Sequence, residues 1–342
     1  MTKIRLFPVC VALLCFLAVH SPALAASFEC AKASKPREKL ICADQALSDL
    51  DSQLGHMYQE RRSLLSAHGA ELLQKSEQNW LRFVATVCPL DTGKLVPADP
   101  TTFPSGPFPK VCLQRQYENR LKQLSMVGQK QGPFVFNRID LFTAGASTVD
   151  NVATPGFWTQ HVAYPQIDNI TTPATEAWNK SAKRELANGD DCENGDGDDD
   201  VDYVVGYAND RIVSTRWSDY TYCHGAPHGF GGSKTENLVL EPSLHQFEPA
   251  DLFGPGKDWV PKLQSLFWDA ISAQGWRPGN EGNKTEILGI VVTADRWLFT
   301  DKGITVGFNS YEGGCYACTP QPVTVSWENL KPLLSANFVP RN

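Results

Sequence analysis

The cysteines constrain this chain more than any other feature. Eight of its ten cysteines follow residue 29 and form two groups of four, separated by 79 cysteine-free residues, 113–191. The groups are Cys30, Cys42, Cys88 and Cys112, then Cys192, Cys223, Cys315 and Cys318. Because each group holds an even number, each can close its own disulfides. We therefore expect two domains and no bridge that crosses residue 131.

The first 25 residues are typical of a secretion signal. Lys3 and Arg5 precede a short apolar stretch, residues 6–19, and Ala23-Leu24-Ala25 supplies small residues for cleavage. We exclude residues 1–25 from the fold and expect a periplasmic or secreted protein that does not insert into a membrane after cleavage. In such a compartment the remaining cysteines are expected to be oxidised.

Three apolar stripes at helical spacing follow the signal and predict a three-helix bundle. They consist of Leu47, Leu50, Leu54, Met57 and Tyr58, then Leu73, Trp80, Leu81, Val84 and Cys88, then Leu113, Tyr117, Leu121 and Leu124. A proline-rich stretch, residues 89–109, separates the second and third predicted helices. A Cys88–Cys112 bridge would close it and contribute roughly 3 kcal/mol. Cys30–Cys42 would then fix the N-terminal arm, although the bundle geometry leaves the other two connectivities open.

The character of the chain changes after residues 128–133, Gly-Gln-Lys-Gln-Gly-Pro, which predict a linker. Beyond it, β-type runs lie at 157–164, 203–207, 212–217, 237–240, 287–293, 297–300 and 304–308. Helical patterns occur only near 175–186 and 260–274. We therefore expect an α+β protein, with a disulfide-stapled helical domain over 26–130 and an α+β domain with a mainly antiparallel sheet over 131–342. The two are expected to fold separately.

Charge also differs between these two parts. Residues 26–130 carry 14 Lys and Arg against 11 Asp and Glu, whereas residues 131–342 carry 15 against 27. The net charge of residues 26–130 is thus near +3, and that of residues 131–342 is near −12. Such a field favours a cationic protein partner and disfavours nucleic acid and anionic membranes.

Two motifs invite a metal interpretation. His224 and His228 are four residues apart, but the Gly and Pro between them exclude the helix that a metal pair would need, so a structural turn is favoured over a partner-contact loop or a metal site. The acidic run 190–202 does not fit the EF-hand frame, because Val201 and Tyr207 occupy its glycine and glutamate positions. We interpret the run as a solvated loop, with an irregular calcium site or a contact for a basic partner as alternatives.

No catalytic machinery is evident. Cys315 and Cys318 have the spacing of a redox dithiol but lie between strand-like runs, which favours a structural bridge. The sequence contains no nucleophile elbow, zinc-protease helix or phosphate-binding loop. We therefore predict no enzymatic activity, no catalytic or metal-binding residues and no cofactor.

The first half resembles the LprI-like N-terminal domain, a family named for a lysozyme inhibitor. The resemblance covers about residues 27–127, and the proline-rich insert before Cys112 departs from it. It is carried by Phe28, Cys30, Glu38, Cys42, Leu47, Leu50, Asp51, Tyr58, Gln78, Trp80, Cys88, Cys112, Tyr117, Arg120 and Leu124.

The second half is similar to the extracytoplasmic domain that the anti-sigma factor RsiV shares with the deacetylase PdaC. The resemblance covers about residues 134–334, and its most specific parts are Gly225-Ala226-x-His228 and Phe308-x-x-Tyr311-Glu312. In RsiV-type proteins this domain is a lysozyme receptor, so both resemblances imply lysozyme. The catalytic domain of PdaC-type proteins has no counterpart here.

These observations predict an exported envelope protein that binds and inhibits lysozyme. The alternative is a non-catalytic module that binds peptidoglycan or another envelope protein. An enzyme whose site is not recognisable ranks third. The candidate partner-binding residues are Tyr222, His224, His228, Tyr311 and Glu312.

Overall fold

The computed structural model of the protein describes residues 27–91, 93, 95–96, 106–147, 156–186, 192, 196–241, 243–254, 258–316 and 318–335. The expected signal sequence, 1–25, and much of the proline-rich stretch lie outside these residues. We call residues 27–127 the helical region and residues 128–335 the sheet region. The two regions differ in secondary structure and meet along one edge of the main sheet.

The helical region contains the expected bundle. Its helices are α1 (Pro36–Ala43), α2 (Gln45–Ser63), α3 (Ala67–Val87) and α4 (Phe108–Ser125), and a short ladder of β1 (Leu95–Val96) with β2 (Gly106–Pro107) precedes α4. The Asp44 side chain accepts a hydrogen bond from the Leu47 backbone N–H and separates α1 from α2. Leu47, Leu73 and Leu113 are fully buried, one from each long helix, so the three stripes form one core.

The sheet region is built on a seven-stranded sheet whose strands are ordered as in the sequence. They are β3 (Gln129–Gln131), β4 (Phe134–Ala146), β5 (Phe157–Ile167), β6 (Gly197–Ala208), β7 (Ile212–Cys223), β8 (Phe230–Val239) and β9 (His245–Gln246). Neighbouring strands are antiparallel, except that β5 and β6 are parallel. Helix α5 (Pro173–Ala182) follows β5 and buries Trp178 against the sheet. The fold class is therefore α+β with a mainly antiparallel sheet, as predicted.

A smaller unit completes the chain. It comprises α6 (Pro249–Leu252), α7 (Trp259–Ala273), α8 (Glu281–Ile290), the antiparallel strands β10 (Trp297–Thr300), β11 (Gly303–Val306) and β12 (Val323–Ser326), and α9 (Trp327–Leu330). Its core includes Phe267, Trp297 and Phe299, together with Ile212 and Val239 of the main sheet. The unit therefore packs on the β7–β8 end of the main sheet, away from β4.

Helix α3 covers the edge of β4 that β3 leaves unpaired. The Asn79 side chain donates to the Phe142 backbone carbonyl at 2.9 Å and accepts from the Phe142 N–H at 2.7 Å. The Ser76 hydroxyl donates to the Asp140 carbonyl at 2.9 Å, and the Asn137 amide donates to the Gly69 carbonyl at 3.1 Å. The Asn79 and Ser76 contacts satisfy backbone groups of β4 that an open sheet edge would expose. The helical region thus completes the sheet.

All eight cysteines of the described chain are paired, and no bridge crosses residue 131. The bridges are Cys30–Cys42, Cys88–Cys112, Cys192–Cys223 and Cys315–Cys318. The favoured connectivity of the helical region is therefore confirmed. Cys192–Cys223 ties the segment before β6 to the end of β7.

Three predictions of local structure are wrong. Residues 287–293, predicted as a strand, lie mostly in α8, which begins after the N-cap Asn280 and buries Ile287. The acidic run was predicted as a loop, but its described part from Gly197 onward forms β6. Residues 128–133, predicted as a linker, form β3 and the tight turn into β4. The pairing of β3 with β4 therefore begins inside the expected linker.

Candidate functional site

A buried network of charged side chains lies where the helical region meets the sheet. Its centre is the Asp140 carboxylate, which is fully buried on β4. Arg120 Nη1 of α4 donates to it at 2.9 Å, and Arg138 Nε at 2.8 Å. Arg120 Nε also pairs with Glu77 at 2.9 Å, and Arg138 Nη1 with Asp202 at 2.6 Å. Burial alone would raise the pKa of Asp140, but these cations and His161 hold it well below its usual range.

His161 connects this network to the protein surface. Its Nε2 lies 2.9 Å from Asp140 Oδ1, and its Nδ1 lies 2.7 Å from Oδ1 of Asp200 on β6. Burial favours the neutral ring, but the hydrogen bonds to the two carboxylates outweigh it and raise the pKa of His161 to about 9. The ring is therefore an imidazolium at neutral pH, and it stacks on Phe142 with ring centroids 4.6 Å apart.

Beside His161 a cavity of about 180 Å³, which we call the interdomain cavity, opens between the two regions. The helical region contributes rings and amides, and the sheet region contributes carboxylates. The lining residues are Trp80, Phe83, Gln116, Asn119, Gln123, Phe142, Thr159, His161, Asp198, Asp199, Asp200 and Tyr220. Asp198 accepts from the Thr159 N–H at 2.9 Å and hydroxyl at 2.7 Å, which orients its carboxylate. The cavity combines aromatic surface with negative charge, which suits an organic cation.

The predicted residues Tyr222 and His224 lie beside this cavity but serve the turn after β7. The His224 side chain is only 3% exposed, and its Nε2 lies 3.3 Å from Asp198 Oδ2. Its Nδ1 lies 3.2 Å from the Ser147 hydroxyl. The Tyr222 hydroxyl donates to the Ala226 carbonyl at 3.3 Å. His224 therefore holds the turn against β6.

The predicted residues His228 and Tyr311 belong to an exposed ring cluster, which we call the aromatic patch. The His228 ring lies 5.5 Å from that of Tyr316, and the Tyr316 ring lies 5.4 Å from that of Tyr311. Tyr311 is 56% exposed and Tyr316 is 48% exposed. The Tyr220 hydroxyl lies against Gly229 with no room for a Cβ between them. Tyr220 thus links the patch to the interdomain cavity.

Glu312, the last predicted residue, anchors the loop that carries Tyr311. Its two carboxylate oxygens accept from Arg296 at 2.7 and 2.9 Å, and one also accepts from the Asn309 N–H at 2.6 Å. Tyr311 has a φ of 72°, a left-handed conformation that is uncommon for a residue with a Cβ. Glu312 thus fixes the turn that carries Tyr311.

The same loop contains Cys315 and Cys318, whose bridge spans three residues of sequence. The Trp276 indole donates to the Cys318 carbonyl at 2.6 Å and attaches the loop to the segment after α7. Within the described residues, no cluster of His, Cys, Asp and Glu has the arrangement of a metal site. No helix in that part of the chain has the length and apolarity to cross a membrane.

Sequence reasoning missed the central residues of this site. Arg120 was noted only as part of a family pattern, and Asp140 and His161 were not singled out. A signal was present in Asn137, Arg138 and Asp140, three polar residues within an otherwise apolar run. Such residues inside a strand indicate a buried polar contact with another element. Asp198 and Asp200 were noticed, but as part of a loop.

Two family models match separate segments of the chain. The family described as Lysozyme inhibitor LprI matches residues 30–124. The family described as Protein of unknown function (DUF3298) matches residues 250–328. The chain therefore carries an LprI domain at its N-terminal side and a DUF3298 domain at its C-terminal side, and the RsiV and PdaC resemblance is compatible with the latter. An LprI domain with its two disulfides fits an extracytoplasmic protein.

Two solved structures of DUF3298 family proteins are similar to this chain over somewhat more than half of its length. The protein from Bacteroides fragilis NCTC 9343 is 17% identical with a TM-score of 0.42, and the match covers 61% of this chain and 96% of that chain. The protein from Pseudomonas aeruginosa PAO1 is 13% identical with a TM-score of 0.43, and the match covers 62% and 99%. Comparison with functionally curated proteins gave no match.

Proposed function

We propose that this protein is an exported, non-catalytic envelope protein that binds lysozyme and inhibits it, in the periplasm or after secretion. The observation that carries the proposal is the match of residues 30–124 to the LprI lysozyme inhibitor family. Two of the aromatic residues that line the interdomain cavity, Trp80 and Phe83, lie within the matched segment.

Electrostatics supports a cationic partner. Residues 131–342 carry 15 Lys and Arg against 27 Asp and Glu, and Asp198, Asp199 and Asp200 concentrate negative charge at the cavity. A cationic lysozyme is steered toward such a surface, and about 0.15 M salt screens the attraction beyond roughly 8 Å. Binding should therefore reside mainly in the sheet region and the cavity rim, and weaken as salt rises.

Inhibition requires more than attraction, because the lysozyme cleft must be blocked where its two catalytic carboxylates act. The aromatic patch is an exposed element that could cover such a cleft. His228 offers a hydrogen-bond donor there, and Tyr311 offers an exposed ring. Since the His224 side chain is enclosed, His228 and Tyr311 are the contact residues in this proposal.

A lysozyme assay with two substrates tests the proposal. The protein lacking residues 1–25 is expected to slow the lysis of bacterial cell walls and, equally, the hydrolysis of a soluble chitooligosaccharide. Inhibition on the soluble substrate requires contact with the enzyme. Unchanged hydrolysis of the soluble substrate, together with co-sedimentation of the protein with cell walls, would instead establish the peptidoglycan-binding alternative, which the exposed rings of the aromatic patch favour.

A further inference from the structure

The loop that follows β11 carries a disulfide that differs from the other three bridges. We infer that the Cys315–Cys318 bridge is a redox-active site, which a protein with a dithiol centre opens by thiol–disulfide exchange. Opening releases Tyr316 from the aromatic patch, because Tyr316 lies between the two cysteines in the chain. The redox site goes beyond the proposed function, and only its effect on lysozyme binding rests on that function.

Accessibility sets this bridge apart. In thiol–disulfide exchange a thiolate must reach a disulfide sulfur, so exposed bridges are the labile ones. Cys315 and Cys318 are both exposed, whereas each of the other three bridges of the described chain contains at least one half-buried or buried cysteine. The next most accessible is Cys30–Cys42, in which Cys30 is exposed and Cys42 is half-buried. An attacking thiolate therefore reaches Cys315–Cys318 most easily.

The bridge also closes the shortest loop. Its cysteines are three residues apart in sequence, whereas the separations in the other bridges are 12, 24 and 31 residues. A bridge across a short loop removes little entropy from the unfolded chain, so it stabilises the fold least. The core of the smaller unit, which includes Phe267 and Trp297, contains neither cysteine. The protein is therefore expected to stay folded when this bridge opens.

The exchange is a two-electron transfer. A thiolate of the partner attacks one sulfur of the bridge, which forms a mixed disulfide and expels the other cysteine as a thiolate. The second thiolate of the partner then attacks the mixed disulfide and expels the first cysteine. The partner ends as a disulfide, and Cys315 and Cys318 end as thiols that carry the two protons given up by the partner. The reverse reaction closes the bridge.

Fixed contacts on either side limit the effect of opening to a short segment. Before the bridge, the Gly313 N–H donates to the Glu286 carboxylate at 3.0 Å. At its far end, the Trp276 indole donates to the Cys318 carbonyl at 2.6 Å. Neither contact involves a sulfur atom, so both can persist in the reduced protein. The segment that gains freedom is therefore the one between these two anchors.

Within that segment the bridge is the main restraint. Cys315 is joined to Cys318 by the disulfide and by one backbone hydrogen bond, in which the Cys318 N–H donates to the Cys315 carbonyl at 2.9 Å. Gly314 precedes the bridge with a φ of 130°, a conformation that glycine adopts without a steric penalty. Rotation at Gly314 can therefore move Cys315 and Tyr316 once the disulfide is broken.

Tyr316 is the central ring of the aromatic patch. Its ring centroid lies 5.5 Å from that of His228 and 5.4 Å from that of Tyr311. Displacement of Tyr316 separates the other two rings, while Glu312 keeps Tyr311 in place. In the proposed function this patch contacts lysozyme, so the reduced protein is expected to bind lysozyme more weakly than the oxidised protein.

A redox titration tests the site, with dithiothreitol in place of the dithiol partner. The protein lacking residues 1–25 is equilibrated without denaturant in mixtures of reduced and oxidised dithiothreitol, and its free thiols are then alkylated and located by mass spectrometry. Cys315–Cys318 should open at a ratio of reduced to oxidised dithiothreitol at least about tenfold lower than Cys30–Cys42 requires. Opening of Cys315–Cys318 together with or after Cys30–Cys42 would overturn the inference.

NMR measures the release of Tyr316. Ring-to-ring NOE contacts between Tyr316 and Tyr311 should be present in the oxidised protein. They should disappear in wild type reduced at the selective ratio and in the variant Cys315→Ser with Cys318→Ser. The matched control, Cys30→Ser with Cys42→Ser, should retain them. Contacts that persist in both open forms of the loop would show that the bridge does not hold Tyr316, and the release would be overturned.

The effect on lysozyme is measured with the serine variant, so that no reductant contacts the enzyme. Cys315→Ser with Cys318→Ser should bind hen egg-white lysozyme about tenfold more weakly than oxidised wild type. Tyr316→Ala, which keeps the bridge, should cause a similar loss, and combining the three substitutions should add less than about twofold because they act through one ring. Equal affinity of the serine variant and wild type would overturn this regulation alone. Absence of lysozyme binding by oxidised wild type, with selective opening in the titration, would overturn the proposed function and retain the redox site.

Discussion

The junction between the helical and sheet regions has an interior end and an open end, and the same residue type serves different purposes at each. At the interior end, the buried Asp140 receives hydrogen bonds from two arginines and His161. At the open end, the Asp198 and Asp200 side chains are 43% and 56% exposed, and among the described residues each forms its ion pair with a histidine. The difference teaches that the buried pairing at the interior end fixes the fold, whereas the carboxylates at the open end are paired but remain accessible to solvent.

The largest effect is expected at the interior end. Asp140→Ala leaves Arg120 and Arg138 buried without their central counter-ion, which should lower the free energy of unfolding by roughly 3–5 kcal/mol. Asp202→Ala removes a 37%-exposed member of the same network and should cost under about 1 kcal/mol. Urea unfolding of both variants measures the difference. Similar losses would show that the interior carboxylate has no special structural role.

His161 joins the two ends, so its titration should appear in the stability of the whole protein. Its pKa is about 9 in the folded state and about 6.5 when unfolded, so the imidazolium stabilises the fold fully below pH 6.5. This contribution, on the order of 3 kcal/mol, is lost as pH rises through 9. Thermal unfolding between pH 6 and pH 9.5 should show the loss in wild type. In His161→Gln the curve should be nearly flat over that range, and an equally steep curve would contradict the assignment.

Hydrogen bonds along the β4 edge should contribute less than the charges. Asn79→Ala removes both side-chain bonds to the Phe142 backbone and should lower the free energy of unfolding by about 2 kcal/mol. Asn79→Asp keeps the acceptor and loses the donor, so an intermediate loss is expected. Urea unfolding measures both. If Asn79→Ala matches wild type, water replaces the side chain and the edge does not depend on α3.

The sequence predicted the three long helices of the helical region and its two bridges, because both depend on local information. Apolar residues at helical spacing and an even cysteine set are visible without knowledge of the tertiary fold. Strand β4 escaped prediction because Asn137, Arg138 and Asp140 interrupt its apolar pattern. These residues are buried against α3 and α4, which only the folded protein brings near them. The polar residues of β4 are therefore explained only by their contacts with the helical region.

The start of strand β6 was wrongly predicted as a loop for a related reason. Asp198, Asp199 and Asp200 are poor strand formers in isolation. In the protein, backbone pairing with β5 and β7 and the ion pairs with His161 and His224 outweigh that preference. The opposite error occurred in α8, where Ile287, Ile290 and Val291 favoured a strand. Packing of Ile287 and Val291 into the core stabilises the helix instead.

The smallest predicted effect tests whether the open end is as loosely held as the comparison implies. Asp200→Asn removes one of the two carboxylates that raise the pKa of His161, while Asp140 keeps the other hydrogen bond. Since Asp200 is more than half exposed, the loss of stability at pH 7 should be about 1 kcal/mol or less.

The pKa of His161 in the Asp200→Asn variant should fall but stay above 6.5, because the buried Asp140 still favours the imidazolium. The alkaline loss of stability should therefore begin at a lower pH than in wild type, and NMR titration of the His161 ring measures that shift directly. An unchanged pKa would mean that Asp140 alone sets the charge of His161. The Asp200 carboxylate would then contribute nothing to the stability of the fold. The interior end alone would stabilise the junction.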